Sequence, residues 1–157
     1  MKMSTKGRYA VTAMADIALH ADGKPVTLAE VAERQSISQS YLEQLFAKLR
    51  RAGLVNGLRG PGGGYTLARP AGEIALSEVM AAVDERLQAT QCNGGVGKGC
   101  VKEGEACLTH NLWERLSAHV YVFLQQTSLE DVISTEIQPC PAVPDFLSLS
   151  AEERAGA

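Results

Sequence analysis

The sequence contains no run of about 18 consecutive apolar residues, so we expect no membrane-spanning helix and no membrane partner. Lys2, Lys6 and Arg8 are not followed by the apolar stretch and cleavage site of a secretory signal, which leads us to expect a cytoplasmic protein. Cysteine is absent before Cys92. Because disulfides are rare in reducing compartments, the later cysteines indicate metal or redox chemistry instead of a disulfide framework.

Positive charge is scarce overall but is concentrated in one half of the chain. The 157 residues carry a formal net charge of −3. Residues 1–70 contain 10 Lys+Arg and 5 Asp+Glu, a net charge of +5, whereas residues 71–157 contain 5 Lys+Arg and 13 Asp+Glu, a net charge of −8. The alternative is chance clustering of solvated charges, but the asymmetry favours a polyanionic partner for the basic half.

The spacing of apolar residues predicts a mainly α-helical protein that begins with a winged helix-turn-helix domain. Helices are predicted over residues 4–21, 27–35, 39–52 and 74–84. Thr27 and Glu30 have the spacing of a capping box, and Gly53 stands where helices commonly end. Two short strands over residues 55–58 and 65–68, joined by a glycine-rich tip, form the expected wing. We assign residues 1–85 to this DNA-binding domain.

The second helix of the pair is expected to enter the major groove of double-stranded DNA. Residues 38–41, 43 and 44 form its exposed N-terminal face, where amide and carboxylate groups suit base edges and hydroxyls suit phosphates. Lys48, Arg50 and Arg51 should contact phosphates, and the slim glycine support of Arg59 fits the minor groove. The predicted DNA-binding residues are Ser38, Ser40, Tyr41, Glu43, Gln44, Lys48, Arg50 and Arg59.

Two other interpretations of this region are weaker. The glycine-rich tip over residues 59–64 resembles a nucleotide-phosphate loop, but no Lys-Ser/Thr pair follows it and no helix begins directly after it. The helix pair could also be a plain helical hairpin that packs a core. The wing, the basic balance and the polar face together favour DNA binding.

Residues 86–110 are predicted to be a metal-binding loop. Residues 86–107 contain five glycines and no helical periodicity, and loops longer than about 12–15 residues tend to be functional or disordered. Three cysteines and one histidine lie within 19 residues: Cys92, Cys100, Cys107 and His110. The last two would lie at the start of a long helix, where the backbone N–H groups favour negative charge.

Residue spacing leaves two metals open. Three cysteines and a histidine can form a structural zinc site, but no tight Cys-x2–4-Cys pair is present, and wide spacing fits a larger iron–sulfur cluster better. Cys140, which lies between Pro139 and Pro141, is expected to be unliganded. A nucleophilic Cys107 with His110 as its base is also conceivable. Because no third orienting group is evident, we expect no enzyme.

The remaining apolar pattern predicts a long helix over residues 109–126 and a short one over residues 128–135. Leu112, Leu116, Val120 and Phe123 follow one side of the long helix, joined by Trp113 and Leu124. Such a stripe forms either part of the core or the seam of a dimer. We assign residues 109–135 to dimerisation and residues 136–157 to a flexible tail rich in proline and small residues.

Four segments resemble the iron–sulfur cluster regulators of the Rrf-two family of bacterial winged-helix transcription factors. They are residues 7–14 (GRYAVTAM), 40–46 (SYLEQLF), 59–65 (RGPGGGY) and 107–110 (CLTH). The resemblance covers about residues 3–135. It implies a homodimer in which each subunit binds a 2Fe–2S cluster through Cys92, Cys100, Cys107 and His110, unless Cys140 replaces His110.

The resemblance also implies a function. Such regulators repress the genes of iron–sulfur cluster assembly while the cluster is present. Iron limitation or oxidative stress removes the cluster and so relieves the repression. An assembly scaffold would donate the cluster, Ser40 and Gln44 would contact bases, and Glu43 would discriminate between two classes of DNA site. Nitric-oxide sensors of the same family, which use a 4Fe–4S cluster, lack the residue 108–110 block. A zinc-stabilised DNA-binding module is the other alternative.

Overall fold

The computed structural model describes residues 4–87, 107–135 and 137. In this part of the chain, six α-helices accompany one two-stranded hairpin and a short 3-10 helix. In order, these elements are α1 (Thr5–His20), α2 (Leu28–Gln35), α3 (Gln39–Arg51), β1 (Val55–Leu58), β2 (Gly64–Leu67), the 3-10 helix (Ala71–Glu73), α4 (Leu76–Ala82), α5 (His110–Gln126) and α6 (Leu129–Ser134). The mainly α-helical winged helix-turn-helix fold is confirmed.

Local capping explains where the first helices begin and end. The Ser4 hydroxyl accepts a hydrogen bond from the Lys6 backbone N–H at 3.2 Å and so caps α1. The predicted capping box of α2 is present: the Thr27 backbone N–H donates to Glu30 Oε2 at 2.8 Å, and the Thr27 hydroxyl accepts from the Glu30 backbone N–H. Gly53, at φ +73°, ends α3 as predicted.

α1 is the centre of the core and packs against α2, α3, α4, α6 and β2. It contributes fully buried residues such as Met14 and Ile17. The apolar stripe of α3 faces it and is entirely buried. Those residues are Leu42, Leu45, Phe46 and Leu49. This packing fixes the orientation of α3 and leaves its opposite face in solvent.

The wing is fastened to the helices by contacts that the sequence pattern does not reveal. β1 and β2 pair antiparallel, with Val55 opposite Leu67 and Leu58 opposite Gly64. Val26 exchanges two backbone hydrogen bonds with Tyr65, at 3.0 and 2.7 Å, and the Tyr65 ring packs edge-on against Phe46 at 4.9 Å. Val26, two residues before α2, thus anchors the hairpin beside α3.

The segment after the wing differs most from the prediction. The helix predicted over residues 74–84 is shorter, because Ile74 and Leu76 instead bond to Leu129, the first residue of α6, and to Thr127 just before it. The Leu129 backbone N–H donates to the Ile74 carbonyl and the Leu76 backbone N–H to the Thr127 carbonyl, each at 2.9 Å. These long-range bonds hold the backbone extended where the apolar spacing alone predicts a helix.

None of the helices in the described ranges is long and apolar enough to cross a membrane. Most of the predicted metal-binding loop and nearly all of the predicted tail over residues 136–157 lie outside the described residues.

Candidate nucleic-acid interface and cluster ligands

The N-terminal face of α3 is open to solvent, as predicted. Ser38, Ser40, Glu43 and Gln44 are exposed. The hydroxyls of Ser38 and Ser40 lie 2.9 Å apart, and the Gln39 Nε2 amide donates to Glu43 Oε1 at 3.1 Å. The face therefore offers hydroxyl, amide and carboxylate groups within two helical turns, a mixture that suits the edges of bases and the phosphates beside them.

Tyr41 is half-buried and joins this face to α1. Its ring packs edge-on against Tyr9, with the centroids 6.0 Å apart and the planes at 83°. The Tyr41 hydroxyl lies 3.5 Å from the Thr5 hydroxyl. The ring is thus held by α1 while its hydroxyl stays near the surface, and tyrosine hydroxyls are among the groups that contact DNA phosphates.

The basic end of α3 contains an ion pair that the sequence pattern does not predict. Lys48 Nζ lies 2.7 Å from Asp84 Oδ2, directly after α4. The hydrogen bond from Lys48, together with its charge, lowers the pKa of the Asp84 carboxyl. Arg50 and Arg51 are exposed on the same helix. Lys48 therefore has a carboxylate partner within the molecule, although Asp84 is 36 positions away in the sequence.

The tip of the wing carries Arg59 in an exposed position. Gly60 at φ +100° and Gly62 at φ +73° form the turn, and the Gly63 backbone N–H donates to the Gly60 carbonyl at 2.9 Å. A side chain at either positive-φ glycine would be strained. The result is a slim support beside Arg59, which suits the narrow minor groove.

α1 and α2 are held together by a buried carboxylate. The Asp16 side chain is fully buried, and Arg34 donates to it from Nε at 3.1 Å and from Nη2 at 2.6 Å. Gln35 Nε2 donates to it at 2.7 Å. Burial raises the pKa of Asp16, but the hydrogen bonds from Arg34 and Gln35 outweigh that effect and lower it overall. This cluster sets the angle between α1 and α2.

Two of the four predicted cluster ligands lie in the described residues. Cys107 and His110 flank the start of α5, where the His110 backbone N–H donates to the Cys107 carbonyl at 3.0 Å. The Cys107 sulfur lies 3.7 Å from the Thr109 hydroxyl, which accepts a hydrogen bond from the Trp113 indole at 3.2 Å. The turn therefore places a thiol and an imidazole at the same end of one helix.

Cys92 and Cys100 lie outside the described residues, and so does Cys140. Within residues 4–87, 107–135 and 137, no three histidine, cysteine or acidic side chains come together as a metal site. Thr109 and Trp113 are not among the predicted site residues. Their contacts depend on the conformation of the first helical turn, which spacing alone does not specify.

α5 presents an unusually apolar surface for a single chain. Of its residues, only Leu124 is buried. The predicted stripe is therefore not part of the core of one chain, except at Leu124 and the half-buried Val120. Leucine and aromatic side chains at 40% exposure or more are Leu112, Leu116, Tyr121 and Phe123. An exposed apolar patch of this kind commonly marks an interface.

Comparisons with known proteins place the chain among regulators of transcription. The family model described as "Rrf2: Iron-dependent Transcriptional regulator" matches residues 3–135. The transcriptional regulator IscR of Cereibacter sphaeroides is 55% identical over 155 residues, which cover 98% of this chain and 100% of that protein.

Solved structures agree with this placement. The IscR structure from T. potens superposes with a TM-score of 0.68 at 33% identity, covering 95% of this chain and 97% of that one. CymR, the global cysteine regulator of B. subtilis, superposes with a TM-score of 0.69 at 34% identity, covering 86% and 98%. These proteins are regulators and not enzymes. The chain is thus a DNA-binding transcriptional regulator that belongs to the Rrf2 family, within which it groups with the IscR proteins.

Proposed function

We propose that this regulator binds a 2Fe–2S cluster through Cys92, Cys100, Cys107 and His110 and that the cluster controls which DNA sites it binds. The observation that carries the proposal is the turn over residues 107–110, which brings Cys107 and His110 together at the N-terminal end of α5. The model of iron-dependent regulators that matches residues 3–135, and the similarity to IscR, support iron as the metal. Zinc, and the larger cluster of nitric-oxide sensors, are the alternatives.

The residues at the start of α5 fit such a group chemically. Thiolate sulfur and imidazole nitrogen are both ligands of iron in iron–sulfur proteins. The first turn of α5 offers backbone N–H groups and the positive end of the helix dipole, which favour a thiolate at Cys107. When bound, a cluster with one histidine ligand would supply a labile group whose presence reports on iron supply and oxidants.

We propose that α3 reads the major groove and the wing contacts the minor groove. Glu43 and Gln44 are exposed toward solvent, and Gln39 holds the Glu43 carboxylate in a fixed orientation. A carboxylate accepts from cytosine and repels phosphates and base acceptors, so Glu43 discriminates between classes of site. Ser38, Tyr41, Lys48 and Arg50 position the DNA backbone, Ser40 and Gln44 contact bases, and Arg59 enters the minor groove.

We propose that two chains associate through α5, giving a homodimer with two DNA-binding domains. The exposed leucine and aromatic side chains of α5 support this, since burying them in a second copy removes apolar surface from water. Residues 1–85 would then form the DNA-binding domain, 86–110 the cluster loop and 109–135 the dimerisation region.

The regulated genes follow from the proposed cofactor. A regulator that holds a cluster when clusters are plentiful suits repression of the cluster assembly genes, with an assembly scaffold as the donor of the cluster in the cytoplasm. The similarity to IscR over the whole of that protein supports this assignment.

Anaerobic purification followed by visible absorption and assays of iron and sulfide tests the cofactor. We expect a coloured protein with about two irons and two sulfides per chain. His110→Cys should retain a cluster that is lost more slowly in air. A colourless protein with one zinc per chain would refute cluster sensing, while four irons per chain would favour the nitric-oxide sensor.

DNA footprinting on the same preparations tests the role of Glu43. Glu43→Ala should widen the set of sites that the cluster-free form binds, because the repelling carboxylate is gone. Ala47→Ser, an exposed change on the same helix, serves as the control. Unchanged site preference in Glu43→Ala would contradict the discriminating role.

A further inference from the structure

The Lys48–Asp84 ion pair joins the recognition helix to the segment that leads into the cluster loop. Asp84 has a left-handed backbone conformation, with φ +55°, directly after α4. This conformation allows its carboxylate to lie 2.7 Å from Lys48 Nζ. The Asp84 carbonyl accepts a hydrogen bond from Lys6 Nζ at 3.1 Å, so two lysines from different helices converge on one residue.

Asp84 is a local counter-ion for the basic residues around the C-terminal end of α3. Lys48, Lys6 and Arg51 all lie close enough to lower the pKa of its carboxyl. Lys48 is one of the basic residues expected to contact a DNA phosphate, and a carboxylate and a phosphate compete for its ammonium group. The Lys48 and Asp84 side chains are 39% and 75% exposed, so the pair is solvated and weak enough to open.

We propose that Asp84 is an affinity-setting residue that competes with DNA phosphate for Lys48. Bound to Asp84, Lys48 contributes less to the electrostatic attraction of DNA, and the pair must open before a phosphate contact forms. This lowers binding to DNA of any sequence and leaves recognition of bases at the other end of α3 unchanged. Because non-specific DNA is in great excess, weaker non-specific binding improves selection of the true sites.

The inference rests on the proposed phosphate contact of Lys48, and Asp84→Asn tests it with little risk to the fold. Asparagine is nearly isosteric and tolerates the left-handed conformation at this position. The neighbouring Glu85 keeps the segment attached, since its carboxylate accepts from the Ser4 backbone N–H at 2.9 Å and from the Gly7 backbone N–H at 3.2 Å.

The experiment measures binding of the full chain to a short duplex of arbitrary sequence by fluorescence anisotropy at several salt concentrations. Asp84→Asn should bind about twofold to fivefold more tightly than the wild type, the factor that an exposed ion pair of ordinary strength is worth. The slope of log Kobs against log salt concentration should be steeper for Asp84→Asn than for the wild type, by up to about 0.9 for each protomer that contacts DNA.

Two controls separate the proposal from a general charge effect. Glu73→Gln changes the net charge by the same amount at an exposed carboxylate in the 3-10 helix. The double variant Asp84→Asn with Lys48→Gln should lose the gain in affinity and in slope, because the competed group is gone.

The outcomes distinguish a failure of the proposed phosphate contact of Lys48 from a failure of the proposed role of Asp84. If Lys48→Gln has no effect even in the Asp84→Asn background, Lys48 does not contact phosphate, and both the proposed contact and the inference are wrong. If Lys48→Gln weakens binding there but Asp84→Asn alone binds like Glu73→Gln or more weakly than the wild type, the inference alone is overturned, and Asp84 only orients the lysine.

Discussion

The Asp16 carboxylate is a buried charge that ties α1 to α2. Its side chain is fully buried, whereas the Arg34 partner is 32% exposed, so the pair is only partly shielded from water. Gln35 provides a further donor to the same carboxylate. Removing one partner from such a pair leaves polar groups without their bonds in a place that water reaches poorly.

Asp16→Asn should lower the free energy of unfolding by about 2–3 kcal/mol at neutral pH, because the amide accepts poorly from the Arg34 fork. Denaturant unfolding measures this. Asp22→Asn, at an exposed carboxylate in the following turn, is the matched control and should change stability by less than about 0.5 kcal/mol. Equal stability of the two variants would contradict a structural role for Asp16.

The same pair makes stability depend on pH in a definite direction. The pKa of Asp16 is lowered in the folded state, so the ionised carboxylate stabilises the fold above its unfolded pKa of about 4. That contribution is lost as the pH falls through the lower, folded-state pKa. The difference between wild type and Asp16→Asn should therefore shrink as unfolding is measured at increasingly acidic pH.

Residue-level features were predictable where the interacting groups are neighbours in sequence. Thr27 and Glu30 are three positions apart, and their capping box forms as expected. The Arg34–Asp16 and Lys48–Asp84 pairs span 18 and 36 positions. Nothing in local spacing distinguishes these charged residues from solvated ones, because their partners are chosen by the packing of whole helices.

At the scale of elements, the wing depends on close approach of two backbones at Gly64. A Cβ atom placed on this residue would lie 2.5 Å from the Val26 carbonyl oxygen. Val26 is the residue that exchanges backbone hydrogen bonds with Tyr65. Only glycine permits this approach without displacing Val26, which anchors the hairpin.

Gly64→Ala should therefore destabilise the protein by about 1–3 kcal/mol and loosen the wing, since the added methyl group forces the Val26 and Tyr65 backbones apart. Thermal unfolding and the exchange rate of the Tyr65 amide hydrogen measure the two effects. Gly62→Asn is the control, because the space around Gly62 is open and asparagine is among the side chains least strained at a positive φ, so it adds no clash with Val26. A Tyr65 amide that remains equally protected in Gly64→Ala would show that the anchor does not need glycine.

Element types were predictable from periodicity, and most bounds agree with the structure to within two residues. The strand over residues 65–68 is shifted by one residue, since Gly64 pairs with Leu58. The helix predicted over residues 74–84 begins two residues later, at Leu76, because Ala75 pairs with Ser128 through an isolated β-bridge. Bridges between distant segments hold these residues extended, and a local pattern carries no information about such a partner.

The described structure contains two apolar surfaces, of which one is buried within the chain and the other is exposed. The surface around α1 forms the core, whereas α5 buries only Leu124. The sequence pattern left core and dimer seam open for α5, since both use the same spacing of apolar residues. In the proposed dimer a second chain covers this surface, and the proposed cluster site likewise needs Cys92 and Cys100, which lie outside the described residues.

Leu116→Glu should shift the protein from dimer toward monomer, because a carboxylate in the middle of an apolar seam costs more than the contacts of one leucine supply. Sedimentation velocity over a range of concentrations measures the change. DNA sites with two half-sites should be bound more weakly in parallel, as each monomer engages only one half. Leu19→Glu is the matched control, since Leu19 is 57% exposed on α1, outside α5, and Leu116 is 40% exposed. A monomeric wild type, or a Leu116→Glu variant as dimeric as the control, would exclude α5 as the seam and require another explanation for the leucine and aromatic side chains that it exposes.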